Sequence, residues 1–379
     1  MSAHNTEIAI TAEPQLLLPA LSTPALSPSQ PNRPFSVETN QELATILKLK
    51  SAKMLTWLAL DKQKHYSLLS IKKKNGTYRH LHNPDSLMRI VQYRILKNIL
   101  EKIEIPDYIY AFEKNKSIPQ MAQLHVEKQV ILSVDIKDFF HSIKQDRLNA
   151  AFLGWGFAEK PARTLSELCT FKAFMPQGAL TSPKLANLIT ALTFGPILKS
   201  YCDANNLTLS VYADDVTVSS NNPALNVGEV LAVIREAITS TGFRVNHQKT
   251  KVMKANRRQY VCGVVVNKKT NLLKRERQRL RAIVHNIGVH GLETEAQKSG
   301  LEPGLFASHI AGKLNWMQQL NGPLGAKYSG KLKLALADQK LKETFVTLAS
   351  TSQQLQQAVA NNKDLSTPTE AATSQEVPW

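Results

Sequence analysis

The chain has 379 residues, 43% of them hydrophobic and 20% charged, with 47 Lys and Arg against 30 Asp and Glu for a formal net charge of +17. That apolar content suits two or three packed units and excludes a disordered chain, while the excess of cations calls for a polyanionic partner, most simply nucleic acid. No apolar run reaches spanning length and no basic amphipathic helix dominates, which excludes a membrane partner. Cys169, Cys202 and Cys262 are odd in number and form no CxxC pair. They read as thiols in a reducing cytoplasm, against both a disulfide framework and structural zinc. The apolar patch "LLLPAL" is broken by Pro19 and no basic segment precedes it, so no signal peptide is expected.

Residues 1–36 carry Pro14, Pro19, Pro24, Pro28, Pro31 and Pro34 among Ser, Thr, Asn and Gln without periodicity, and read as a flexible leader. "HYSLLSIKKKNGTYRHLHNP" predicts a hairpin turning at Asn75-Gly76, since both residues tolerate positive φ. "NPDSLMRIVQYRILKNILEKI" predicts a helix opening at Pro84-Asp85, with Met88, Val91, Ile95 and Ile99 on its apolar face. "KQVILSVDIKDFF" predicts a strand ending in an acid-bearing turn, "SPKLANLITALTFGPILKSY" one buried helix, and "LTLSVYADDVTVSS" a second hairpin. Beyond about Asn267 the pattern is helical and basic. Leu280, Ile283, Val284 and Ile287 share one face there, and Phe306, Ile310, Leu314 and Met317 another. From Thr351 the composition is polar and predicts a loose tail. Strands with interspersed helices, then a helical end, predict an α+β unit with a helical appendage.

Asp214 and Asp215 interrupt an apolar hairpin, where aspartate is disfavoured and neighbouring like charges repel. A turn at Ala213-Asp214-Asp215 lifts both acids to the end of a strand pair. "VILSVDIKDFF" carries Asp135 near the end of its own strand. If the two strands are neighbours, Asp135 and Asp214 meet at one edge, and carboxylates at ~4 Å repel by ~4 kcal/mol at an effective dielectric of ~20. Such a cluster wants a cation. Hard oxygen donors suit two Mg²⁺ ions (Mn²⁺ being the alternative), which activate an attacking hydroxyl and stabilise departing pyrophosphate.

"FMPQGALTSPKLAN" places Gln177 and Gly178 ahead of a helix opening on Ser182-Pro183, where Gly178 allows close backbone approach. Asp135, this segment and "YADD" stand in the order and spacing of a reverse transcriptase palm, and residues 40–345 resemble that family. The resemblance implies a right-hand polymerase fold: fingers and palm over 37–266, a basic helical thumb over 267–350, and a polar tail over 351–379. It implies metal ligation by Asp135, Asp214 and Asp215 and by the carbonyl of Ile136. Phe140 looks like the aromatic gate that excludes a ribonucleotide's 2′-OH, with Phe139 as core. Lys72 and Arg79 look like the fingers' triphosphate-binding cations, and Gln177 and Gly178 like contacts to the incoming nucleotide. "TGFRVNHQKTKVM" resembles the family's next motif, in which Lys249 would protonate pyrophosphate, with Lys251 as its rival. "YVCGVVVN" looks like the hairpin that grips the primer end. The run holding Arg257, Arg258, Lys268, Lys269, Lys274, Arg275 and Arg277 reads as a track for template and primer phosphates.

The residues after Trp316 leave no room for an RNase H domain or a maturase segment, so the chain is similar to the compact bacterial retron enzymes. "AFEKNKSIPQMAQLH" resembles their insert, with Ala122 and His125 matching and Met121 standing where Asn is usual. Cys262 departs likewise from a usual Val-Thr-Gly. His125 is thereby implicated in contacting RNA. The resemblance implies a cytoplasmic RNA-directed DNA polymerase that takes deoxynucleoside triphosphates and folds around a cognate noncoding RNA. It would prime from a 2′-OH and make a short branched RNA-linked DNA (msDNA) in antiphage defence, beside a separate effector protein. The alternatives are another bacterial defence or diversity-generating reverse transcriptase, or an inactive RNA-binding scaffold.

Overall fold

A computed structural model of the chain describes residues 33–72 and 76–337. Two compact units make up the chain. Of the described residues, the first holds those up to Lys116 together with Leu132–Val252, and the second holds Ser117–Ile131 and those from Met253.

Two helices come first, α1 (Asn40–Ile46) and α2 (Ala52–Leu60), each capped by a hydroxyl: Thr39 accepts from the Glu42 N–H and Ser51 from that of Lys53. Strands β1 (Tyr66–Lys72) and β2 (Tyr78–Pro84) form an antiparallel ribbon whose last pair is Lys72 with Tyr78. Five positions therefore separate the strands, where a two-residue turn was expected. Asn75 lies outside the described residues, and Gly76 takes the positive φ (84°) foreseen for it. Helix α3 (Ser86–Asn98) starts where its sequence directs: the Asp85 carboxylate accepts from the Met88 N–H at 2.9 Å. Met88, Val91, Ile95 and Ile99 are all fully buried. Each such side chain contributes ~1.5–3 kcal/mol to folding.

The short α4 (Ile118–Gln123) belongs to the second unit. Next come β3 (Val130–Ile136), α5 (Phe139–Ser142), α6 (Gln145–Gly154) and α7 (Glu159–Leu168). The predicted single helix over 182–201 is two, α8 (Ser182–Leu192) and α9 (Phe194–Ala204). Thr193 (ψ −112°) breaks them, and Pro196 has no N–H to return to the Leu192 carbonyl. Strands β4 (Thr208–Tyr212) and β5 (Asp215–Ser220) form the second hairpin, followed by α10 (Val227–Ser240) and β6 (Val245–Lys254). The order β4-β5-β3-β6 makes one four-stranded sheet.

The second unit continues with the ribbon β7 (Tyr260–Val261) and β8 (Val264–Val265), then helices α11 (Lys274–His290), α12 (Leu292–Lys298), α13 (Pro303–Leu320) and α14 (Gly322–Ala337). Leu280, Val284 and Ile287 of α11 are buried with Phe306, Ile310, Leu314 and Met317 of α13, while Ile283 is only half-buried. The structural division falls at Val252/Met253, not at the expected 266/267. The β6 exit and the β8 exit are tied instead to the segment after α4: Ala255 N–H donates to the Gln129 carbonyl (2.8 Å) and Glu127 N–H to that of Val266 (3.1 Å). The leader boundary also moves. Phe35 N–H bonds the Trp155 carbonyl (3.1 Å) and its ring lies 5.0 Å from that of Phe157, so residues 33–36 belong to the fold. The rest of the leader and the polar tail lie outside the described residues. Mixed sheet and helix with a helical end make the fold α+β, and no described helix is long and apolar enough to cross a membrane.

Candidate active site

The β4–β5 turn consists of Ala213 and Asp214, closed by the pair Tyr212–Asp215, so Asp215 begins a strand and does not sit in the turn. Ala213 is buried at φ 54°, a value that two-residue hairpins require at their first central position. Strand β3 lies next to β5 in the sheet and brings Asp135 to the same end. Its last residue, Ile136, is buried and donates its N–H to the Asp214 carbonyl at 2.8 Å, and Lys137 N–H donates to the Arg244 carbonyl at 2.8 Å. The three acids therefore meet at one end of the sheet, despite their mutual repulsion.

Their electrostatics record the crowding. Burial and then the charge of Asp135 hold the Asp214 carboxyl above the usual range, against the opposing fields of Lys249 and Arg79. Asp215 is likewise raised, first by burial and then by Asp214 and Asp135, although the Ser133 hydroxyl donates to it at 2.9 Å. Asp135 is better matched. Asn246 Nδ2 donates to it at 3.0 Å, and the Lys249 ammonium reaches both its oxygens at 3.0 and 3.1 Å.

Among the described residues no three His, Cys, Asp or Glu side chains gather into a ready-made metal cage. The donor set nevertheless fits a divalent cation: oxygen only, and short of positive charge at Asp214 and Asp215. The Lys249 ammonium holds Asp135, and that side chain is 60% exposed. An ion pair so open to water is worth ~0–1 kcal/mol and yields readily to a divalent charge. Lys251, two residues further along β6, lowers the Asp215 carboxyl, so both candidate lysines bear on the acids.

Gln177 and Gly178 lie against β2. The Gln177 carbonyl accepts the His82 N–H at 2.8 Å, and a Cβ on Gly178 (φ 118°) would sit 2.7 Å from the His82 carbonyl oxygen. The close approach that glycine permits is thus to the protein's own strand. Buried Gln92 ties this loop to its surroundings, donating to Tyr66 Oη (2.7 Å) and the Leu168 carbonyl (3.0 Å) and accepting from the Leu180 N–H (3.3 Å). On the β1–β2 ribbon, Lys72 pairs with Tyr78 and Ile71 with Arg79, so strand alternation sets Lys72 and Arg79 on opposite faces. Arg79 is the one whose field is felt at Asp214. Phe139 is buried, and Phe140 is half-buried with its ring 5.7 Å from that of Phe139.

In the second unit Arg257, Arg258, Lys268, Lys269, Lys274 and Arg275 are exposed and Arg277 is half-buried, with Arg258 stacked over Tyr260 at 5.9 Å. His125 corrects its expected role. It is fully buried beside Met121 and Ala122, and burial lowers its pKa to about 3. A neutral core imidazole has no face to offer RNA. Cys262 and Gly263 form the two-residue β7–β8 turn, both at positive φ (45° and 82°). Sequence reasoning missed Ser133, Asn246 and Gln92. Ser133 was within reach, two residues before Asp135 on the one polar face of a buried strand. Asn246 was not, because nothing in the sequence says that β6 flanks β3.

Residues 71–298 match the family described as Reverse transcriptase (RNA-dependent DNA polymerase). The chain is 29% identical over 279 residues to the Retron Mx65 reverse transcriptase of Myxococcus xanthus, covering 69% of this chain and 62% of that one. It is 28% identical over 247 residues to the Retron Ec86 reverse transcriptase of Escherichia coli (64% and 76%). It is 28% identical over 289 residues to the Retron Mx162 reverse transcriptase of Myxococcus xanthus (66% and 59%). The matched stretches thus span about three fifths to three quarters of those relatives. With its acids at one end of the sheet and retron enzymes among its relatives, this chain belongs to the reverse transcriptase (RNA-dependent DNA polymerase) family, as a retron-type member.

Proposed function

We propose that the chain is an RNA-directed DNA polymerase that copies part of a cognate noncoding RNA into a short branched RNA-linked DNA, with its first unit as fingers and palm and the helices of its second as thumb. The observation that carries this reading is the meeting of Asp135 with Asp214 and Asp215 on neighbouring strands, at carboxyls that burial and mutual repulsion leave short of positive charge. Divalent cations bound there, Mg²⁺ by preference, would supply the Lewis acidity that favours attack by a primer hydroxyl and eases departure of pyrophosphate. Asp135 and Asp214 are the principal holders, beside the Ile136 peptide, and Asp215 is steadied by Ser133.

The protein's own side chains do the rest. Arg79 gives the triphosphate a cation, whereas Lys72, on the opposite face of the ribbon, does not share that contact. Gln177 and Gly178, fixed on β2, face the incoming nucleotide, and Phe140 crowds its 2′ position. Lys249 leaves Asp135 as positive charge arrives, which frees its ammonium to donate a proton to pyrophosphate. The exposed cations from Arg257 to Arg277 carry template and primer phosphates. Cytoplasmic action, priming from an RNA 2′-OH and service in antiphage defence with an effector protein complete the reading as what the resemblance to retron enzymes implies; the names of the relatives support the retron type alone.

The test is replacement of Asp214 and Asp215 by Asn. DNA synthesis on an RNA template should fall by at least about 10³-fold while RNA binding stays within about twofold, since the acids act only in chemistry. Retained synthesis in that variant refutes the assignment.

A further inference from the structure

Phe112 is half exposed, takes a left-handed backbone (φ 61°) that a bulky residue rarely adopts, and has no part in the reading above. Its neighbours hold it there. On one side, the segment ending in Tyr110 runs along β4, with Val211 N–H donating to the Tyr108 carbonyl (2.7 Å) and Tyr110 N–H to that of Val211 (2.9 Å). On the other, Asn187 Nδ2 donates to the Ala111 carbonyl (2.5 Å) and to Glu113 (2.8 Å), and Glu113 is paired with Lys184 at 2.8 Å, both side chains nearly buried. A positive-φ backbone persists only where the surroundings impose it, and here both flanks are fixed.

The ring so placed meets two others. Its centroid lies 6.5 Å from that of Phe140, edge to face at 64°, and 6.4 Å from that of Tyr212, the residue that closes the acid-bearing turn. Phe139 flanks Phe140 at 5.7 Å. Phe140 therefore has a core ring and a half-exposed ring as neighbours, and removing Phe112 takes one of the two away.

We propose that Phe112 is a positioning residue for sugar discrimination: it braces the Phe140 ring against tilting away from the 2′ position of the incoming nucleotide. This rests on Phe140 serving as the gate. Because Phe112 acts through Phe140, its removal should matter only while Phe140 is present.

The experiment measures kcat/KM for dGTP and GTP on a synthetic RNA template with an annealed DNA primer, using the full chain. Phe140→Ala should relax discrimination most. Phe112→Ala should relax it by about 3- to 10-fold, as befits the loss of one aromatic pair, chiefly through a lower KM for GTP. Phe112→Tyr should keep the wild-type ratio, and Phe112→Ala should add nothing in the Phe140→Ala background. If Phe112→Ala leaves the ratio alone while Phe140→Ala shifts it, the inference is wrong and the gate stands. Additive effects in the double variant, or an equal loss for both nucleotides, also overturn the bracing role. Should Phe140→Ala change nothing, the gate reading fails and the inference with it.

Discussion

Asp215 shows how a single side chain can serve chemistry at the expense of the fold. Burial raises its carboxyl, and Asp214 and Asp135 raise it further. An acid whose folded pKa lies above its unfolded one contributes stability only while protonated, below the unfolded value, and loses that contribution as pH rises through the folded value. At neutral pH, without a divalent ion, Asp215 is therefore a source of instability. Asp215→Asn should raise Tm in the presence of a chelator, by ~2–4 °C for each kcal/mol recovered, because the amide oxygen can still accept from the Ser133 hydroxyl. The gain should shrink as pH is lowered toward the unfolded carboxylate range. Thermal scans of parent and variant at several pH values decide it: an equal or lower Tm for the variant at pH 7 would mean that the three acids do not repel as described. The same residues mark the limit of reading single positions. Asp135, Asp214 and Asp215 stood out as charges in apolar strands, whereas Asn246 and Phe112 are ordinary letters until the sheet order is known. His125 looked like a contact and is core.

Among the elements, the loop at Gln177-Gly178 and strand β2 depend on each other. The loop carbonyl is satisfied by β2, and only a residue without a Cβ fits against the His82 carbonyl at φ 118°. Gly178→Ala should cost about 2 kcal/mol or more, since both the backbone conformation and the contact are strained. Gln177→Ala leaves the same backbone bond in place and should reduce synthesis with little loss of stability. Urea unfolding of both variants separates the effects, and a Gly178→Ala protein as stable as the parent would show that the loop does not rest on β2. Local signals gave the elements well where physics is local. Asp85 capped its helix, the apolar period of α3 named its buried face, and the alternation of β4 and β5 was plain. Local signals misled where a break was masked by apolar residues on both sides, as at Thr193 between α8 and α9. They were silent on the pairing of β3 with β5 and β6, which joins segments about 80 and 110 residues away in sequence.

For the molecule as a whole, composition predicted a polyanionic partner but not where the cations would stand. The chain has +17 to distribute, and Arg257, Arg258, Lys268, Lys269, Lys274 and Arg275 all leave the fold exposed in the second unit. The run itself is legible in the sequence as a succession of cations. The sequence could not reveal that the segment 117–131 shares the unit, because the bonds from Gln129 and Glu127 to Ala255 and Val266 are long in sequence. Cations that meet phosphates release counterions, so log K for RNA falls linearly with log salt, by about 0.7–0.9 for each phosphate neutralised. Replacing Lys268 and Lys269 together by Ala should therefore flatten that slope by about 1.4–1.8 if each neutralises one phosphate, and weaken binding by a similar factor on every RNA sequence. A companion pair on the same chain, Lys62 and Lys97, should leave the slope unchanged: each is held within the fold, Lys62 by Gln145 and Thr170 and Lys97 by Glu101. Titrations between 50 and 300 mM salt, across which the screening length falls about 2.4-fold, measure both. If the Lys268/Lys269 variant keeps the parent's slope, the exposed cations are a solvated face and the phosphates run elsewhere.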